Sequence, residues 1–135
     1  MSKTFADFPL HESLQQALQS LGFTSPTPVQ EQSIPAALEG KDLLVSSQTG
    51  SGKTAAFLLP TLNALAAQET FVPFKERMKA ITQPNILVLC PTRELAQQVS
   101  QDAIGFVRHM KGARIAAIMG GTPFGKQIQQ LKGAQ

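Results

Sequence analysis

Cysteine occurs once in the 135 residues, at Cys90, so neither an intrachain disulfide nor a cysteine-only metal site can form. Cys90 ends an apolar run, where a thiol reads as a small buried hydrophobe rather than a nucleophile. Histidine is nearly as scarce. His11 and His109 lie far apart, and neither has a second ligand-type residue at metal spacing, so both read as surface or capping groups. No apolar stretch reaches membrane-spanning length, and no basic-then-apolar leader follows Met1. The expectation is a soluble, cytoplasmic chain with no membrane partner. Charge is also sparse: the net value is +3, with a pI near 9.3. That balance permits nucleic-acid binding without indicating it. The basic clusters Lys75 to Lys79 and Arg108 to Arg114 could face phosphate, yet a solvated helix end or loop accounts for them better. Internal repeats and low-complexity tracts are absent.

What is present is enough for one domain. Hydrophobic residues make up 42% of the chain, sufficient for a real core at this length. The feature that names a ligand class most directly is Ser47-Gln48-Thr49-Gly50-Ser51-Gly52-Lys53-Thr54, a glycine-rich loop ending in Gly-Lys-Thr. It follows the apolar run 42–46, which reads as a strand, and precedes 54–65, which reads as a helix. A strand, a glycine loop and a helix start together form the context of a nucleotide-phosphate cradle. Glycines let backbone N–H groups converge on phosphates, and the helix N-terminus adds favourable partial charge. In such a cradle Lys53 reaches the β- and γ-phosphate oxygens, and the Thr54 hydroxyl ligates Mg²⁺. The competing reading is a glycine-rich turn with a surface lysine; spacing and flanks count against it.

Around the loop, helices and strands alternate. Leu10, Leu14, Leu18 and Leu21 predict a short amphipathic helix over 10–21, ended by Gly22. Thr27-Pro28 predicts the cap and first turn of a second helix to Leu38, which Pro35 should kink or split, with Gly40 closing it. Pro60 should bend the helix that follows the loop. Residues 69–84 read as a surface excursion. A second strand over 85–90 stops at Pro91, and Thr92 caps a helix whose inward stripe is Leu95, Val99, Ala103 and Phe106. A third strand over 114–119 is broken by Gly120-Gly121, and a last helix starts near Thr122-Pro123. Strands apolar on both faces predict an α/β fold with a parallel sheet covered by helices on both sides.

Three further constellations flank the loop. Gly22 to Gln30 precedes the first strand. A glutamine near a helix start is usually a cap or a surface group, but its amide can also pair with an adenine's N6 and N7 edge. Phe23 could stack on the same base. Pro91-Thr92-Arg93-Glu94-Leu95-Ala96 stands at the carboxyl end of the second strand, where open parallel sheets bind ligands. Its helix-start N–H groups, with Thr92 and Arg93, suit a nucleic-acid phosphate; a capping box is the alternative. Gly120-Gly121, beyond the third strand, either allows close approach of a phosphate backbone or marks only a turn.

Taken together these motifs resemble the DEAD-box family of ATP-dependent RNA helicases, over nearly the whole chain and in the family's order and spacing. Gly22 to Gln30 resembles the Q motif, with Phe5 at the aromatic that precedes it. Ser47 to Thr54 resembles motif I, where the family more often has Ala at the position of Ser47. Pro91 to Ala96 is identical to the PTRELA motif Ia, and Gly120-Gly121 matches the GG element. The resemblance implies a RecA-like P-loop NTPase fold: residues 1–135 would be part of the first RecA-like domain, incomplete at the C-terminal end, with 1–31 its Q-motif region. It implies that Gln30 reads adenine, Phe23 stacks on it and Phe5 supports the ring. Ser47, Gln48, Thr49, Gly50, Ser51, Gly52, Lys53 and Thr54 would then hold ATP or ADP, with Mg²⁺ on Thr54. Lys53 and Thr54 would serve the chemistry. Pro91, Thr92, Arg93 and Gly121 would touch the RNA sugar-phosphate backbone without reading base edges, so binding should depend strongly on salt.

The resemblance also says what is not in these residues. There is no Asp-Glu-Ala-Asp, no Ser-Ala-Thr motif and no second RecA-like domain, so this stretch alone is expected not to hydrolyse ATP efficiently, while the parent protein would unwind short RNA duplexes. Without the strand that carries Asp-Glu-Ala-Asp, residues 42–46 should expose an unpaired edge, and the fragment should be marginally stable or self-associate there. Two other readings stay open: a P-loop NTPase acting on DNA or a small molecule, and a non-catalytic nucleotide- or RNA-binding module.

Overall fold

A computed structural model describes residues 3–48, 52–67, 84–110, 112–121 and 123–131. Among these residues there are five α-helices: α1 (Glu12–Ser20), α2 (Pro28–Leu38), α3 (Lys53–Ala66), α4 (Arg93–Phe106) and α5 (Phe124–Leu131), preceded by a 3₁₀ turn over Phe5–Asp7. Their starts follow local chemistry. His11 caps α1 by accepting from Ser13 N–H at Nδ1, which satisfies one of the donors left free in a first helical turn. Thr92 does the same for α4, its Oγ1 accepting from Leu95 N–H at 3.1 Å. Because Leu95, not Glu94, is the third residue of that helix, the contact is a single cap and not a capping box.

The ends are equally local. Gly22 adopts φ +81°, and Phe23 N–H and Gly22 N–H donate back to the Leu18 and Gln19 carbonyls. Gly40 repeats the pattern with Lys41, Ala36 and Ala37. These are left-handed closures that a side chain at either glycine would strain. Helix α2 runs without interruption through Pro35, so the expected split does not occur; the first-turn proline at Pro28 and the capping box at Thr27 hold it as one element.

Helix α3 is central. Leu58, Leu59, Leu62 and Ala66 are buried, as are Ala55 and Ala56, and α1, α2 and α4 all pack on it. Leu14 and Leu18 come from α1, Ile34 from α2, and Val99, Ala103 and Phe106 from α4. Of the expected α4 stripe, Leu95 alone stays open, at 37% exposed. Asn63 Oδ1 accepts from His11 N–H at 2.6 Å, fixing the start of α1 against α3. A chain of edge-to-face phenylalanine contacts, Phe8–Phe5–Phe23–Phe106, ties the N-terminal turn to α4 at centroid spacings of 5.5 to 5.8 Å. Gln15 reinforces it, its Nε2 donating to the Phe5 and Phe8 carbonyls.

The three segments expected as strands carry no strand assignment among the described residues. Their exposure nevertheless alternates. Leu44 is 102% exposed between half-exposed Leu43 and Val45, and Leu87 and Leu89 are open while Ile86 and Cys90 pack on the core. Ile86, Cys90 and Ile115 pack on the core, and Cys90 is half-buried there. The described residues establish the helices these side chains meet; the parallel sheet itself stays an expectation of the sequence. The excursion expected over 69–84 lies outside the described residues except for Pro84. No described helix is long and apolar enough to cross a membrane.

Candidate nucleotide site

Thr27 and Gln30 meet Gly52 where α2 packs on α3. Gly52 caps α3 with φ +88°, a left-handed conformation open to glycine and strained for other residues. Its carbonyl accepts from Gln30 Nε2 at 3.1 Å, while Gln30 Oε1 accepts from Thr27 N–H at 2.8 Å. Thr27 Oγ1 in turn accepts from Gln30 N–H. The Gln30 side chain thereby closes a capping box at the start of α2 and ties it to the N-terminus of α3, while only 2% of the residue is exposed. A Cβ at Gly52 would collide with Gln30 Nε2 and come within 3.2 Å of Thr27 Oγ1.

Lys53 opens α3, and its Nζ donates to the Ser47 carbonyl at 2.6 Å. The ammonium thus reaches back onto the end of the preceding segment. The single ion pair among the described residues is Lys41–Glu39, so no carboxylate among them pairs with Lys53. Thr54 is half-buried beside it. Both line an open groove of about 650 Å³ with Asp42, Val45, Val88 and Leu89. Thr49, Gly50 and Ser51 lie outside the described residues, and Gln48 is exposed at the loop's near end.

Phe23 is half-buried, its ring set edge-on to Phe5 and to Phe106. Phe5, expected beside it, and Phe106, which was not, both pack against the ring. A second group assembles at the start of α4. Pro91, Thr92 and Arg93 are all exposed there. The Arg93 guanidinium lies over Gly121, which has φ +83°, although 28 positions separate the two in sequence. No group of three or more His, Cys, Asp or Glu able to hold a metal occurs among the described residues.

Three hydrogen-bonding residues escape a reading of the sequence for binding residues. Thr27 has a legible signal, since Thr-Pro-Val-Gln is capping-box grammar. Gln127 and Gln130 have none: from α5 their Oε1 atoms accept from Met119 N–H at 3.0 Å and Ala117 N–H at 3.4 Å.

Comparisons with known proteins bear on the family and the fold. Residues 27–135 match the family model for DEAD/DEAH box helicase. The chain is 43% identical over 129 residues to the ATP-dependent RNA helicase DeaD of Escherichia coli (strain K12), covering 96% of this chain and 19% of that one. It is 42% identical over 130 residues to DEAD-box ATP-dependent RNA helicase 30 of Arabidopsis thaliana, covering 96% and 21%. Among solved structures, the RNA helicase Prp28 of Chaetomium thermophilum bound to ADP is similar at a TM-score of 0.79 and 32% identity, over 97% of this chain and 30% of that one. A DEAD box protein of Methanococcus jannaschii is similar at a TM-score of 0.76 and 30% identity, over 99% and 34%. The chain thus spans a fifth to a third of the length of these relatives. Its motifs, its helical framework and the family match lead to one conclusion: the chain belongs to the DEAD/DEAH box helicase family.

Proposed function

We propose that this chain binds ATP at the Gln30–Gly52–Lys53 junction and the RNA backbone at Pro91, Thr92, Arg93 and Gly121, as part of an ATP-dependent RNA helicase that separates short duplexes locally. The observation that carries the nucleotide half is Gly52. Its conformation and the absence of a side chain bring Gln30, a side chain able to read a base edge, into hydrogen-bond contact with the residue before a lysine that no carboxylate among the described residues pairs with. Gln30 retains one free N–H and one free lone pair, the complement an adenine edge needs. The similar Prp28 structure is bound to ADP, in keeping with this reading.

When ATP enters, its phosphates replace the Ser47 carbonyl as the partner of Lys53 and meet the first N–H groups of α3. Thr54 would hold Mg²⁺, which when bound neutralises phosphate charge. Phe23 would stack on the base. The RecA-like sheet implied by the family would run through residues 42–46, 85–90 and 114–119, completed by the longer protein, along with the acids and the second domain that hydrolysis requires. These residues alone then bind nucleotide without turning it over.

Equilibrium binding of fluorescent ATP and GTP analogues to the full chain tests this. ATP should bind more tightly than GTP, Lys53→Ala should abolish binding, and Gln30→Ala should erase the preference. Equal affinity for the two nucleotides in the unsubstituted chain would sink the adenine assignment. Steady-state ATPase activity with RNA that is lost in Lys53→Ala would overturn the claim of no turnover.

A further inference from the structure

We propose that the part Gly121 plays in this RNA site is that of a positioning residue, acting through Arg93 by setting the guanidinium in place for a phosphate; the proposal rests on the RNA-backbone reading given above. Two observations carry it. First, an added Cβ at Gly121 would lie 2.9 Å from Arg93 Nη2 and 3.3 Å from both Cζ and Nη1, so the guanidinium sits directly on the glycine. Second, Arg93 makes no hydrogen bond or ion pair among the described residues, so packing against Gly121 is what locates its charge.

The neighbouring glycine differs. Gly120 has no heavy atom within 4 Å of an added Cβ and no positive φ, so the two halves of the doublet have separate roles. At Gly121 the atoms displaced by a side chain are the far end of a long, flexible chain, not backbone. A substitution therefore moves the Arg93 charge before it disturbs the fold. Arginine makes this geometry useful, because its planar fork offers paired donors to a phosphate once its plane is held, whereas lysine is a mobile point charge.

A double-mutant cycle on the full chain, read by anisotropy of a fluorescein-labelled oligouridylate across a salt titration, tests the proposal. Arg93→Ala should weaken binding and reduce the salt slope by about 0.7, the loss of one single-strand phosphate contact. Gly121→Ala should reproduce that loss, and the double variant should be no weaker than Arg93→Ala. Gly121→Asn separates crowding from backbone strain, since asparagine tolerates positive φ; it should show the same reduced slope with its melting transition kept. Gly120→Ala should bind as the unsubstituted chain does. Additive losses in the double variant, or an unchanged slope in Gly121→Asn, would overturn the positioning role and leave RNA binding standing. An unsubstituted chain with no salt-dependent binding overturns the RNA reading itself.

Discussion

Gln30 Nε2 donates to the Gly52 carbonyl at 3.1 Å, and the space a Gly52 side chain would need is the space that amide nitrogen occupies. One contact therefore joins the capping box of α2 to the start of α3, the two helices that pack most extensively on one another. The helix starts cannot shift independently. Lys53, the next residue, inherits its place from that junction.

Gly52→Ala should destabilise the chain by about 1–3 kcal/mol, because a non-glycine residue at φ +88° is strained and its Cβ displaces Gln30. Chemical denaturation monitored by circular dichroism measures this. An unchanged midpoint would mean that the junction adjusts freely.

Gln30→Glu separates the two halves of the same contact. A carboxylate still accepts from Thr27 N–H, but it cannot donate to Gly52. Helix content should be retained while affinity for an ATP analogue falls about tenfold, the scale of one hydrogen bond lost with its partner left unsatisfied. Equal loss of helix content and affinity would show that the cap, not the link to α3, is what matters.

On the far side of the chain, Gln127 and Gln130 cover alternate N–H groups of the extended segment at Met119 and Ala117. Exposed rows of such donors invite pairing with another chain. The double substitution Gln127→Ala, Gln130→Ala should speed hydrogen exchange at these two amides and promote concentration-dependent association in sedimentation velocity. A monomer with unchanged exchange would remove the glutamines from any protective role.

Burial raises the Asp102 carboxyl above its ordinary value of 3.8. The folded state thus disfavours its charge: stability falls as pH rises from 3.8 through the folded value, and the penalty is complete above it. Asp102→Asn should raise the melting temperature at pH 7, and the gain should vanish below pH 3.8. A gain that persists at low pH would assign the effect to packing.

Much of this was legible in sequence because its causes are short-range. Thr27, Pro28 and Thr92 announce helix starts, Gly22 and Gly40 announce ends, and leucines at helical spacing mark the faces of α1 and α3 that pack inward. At Pro35 the split does not occur: the proline is the eighth residue of a helix held at its start by a capping box and packed on α3. The extended segments differ in kind. Runs apolar on both faces predict a sheet covered on both sides, but such a sheet needs neighbouring strands, and among the described residues Leu44, Leu87 and Leu89 are exposed.

By itself the sequence determined the helices, their caps, the apolar stripes and the motif set that carries family membership, each through contacts between residues a few positions apart. Tertiary structure alone decided which of those pieces meet. Gln30 reaches Gly52 across 22 positions, and Arg93 lies on Gly121 across 28. Both meetings depend on how α2, α3 and the segments after them are packed, and on where a side chain points once that packing is set. Pattern along a chain carries neither, because closing a loop and filling the space between two helices are properties of the whole fold.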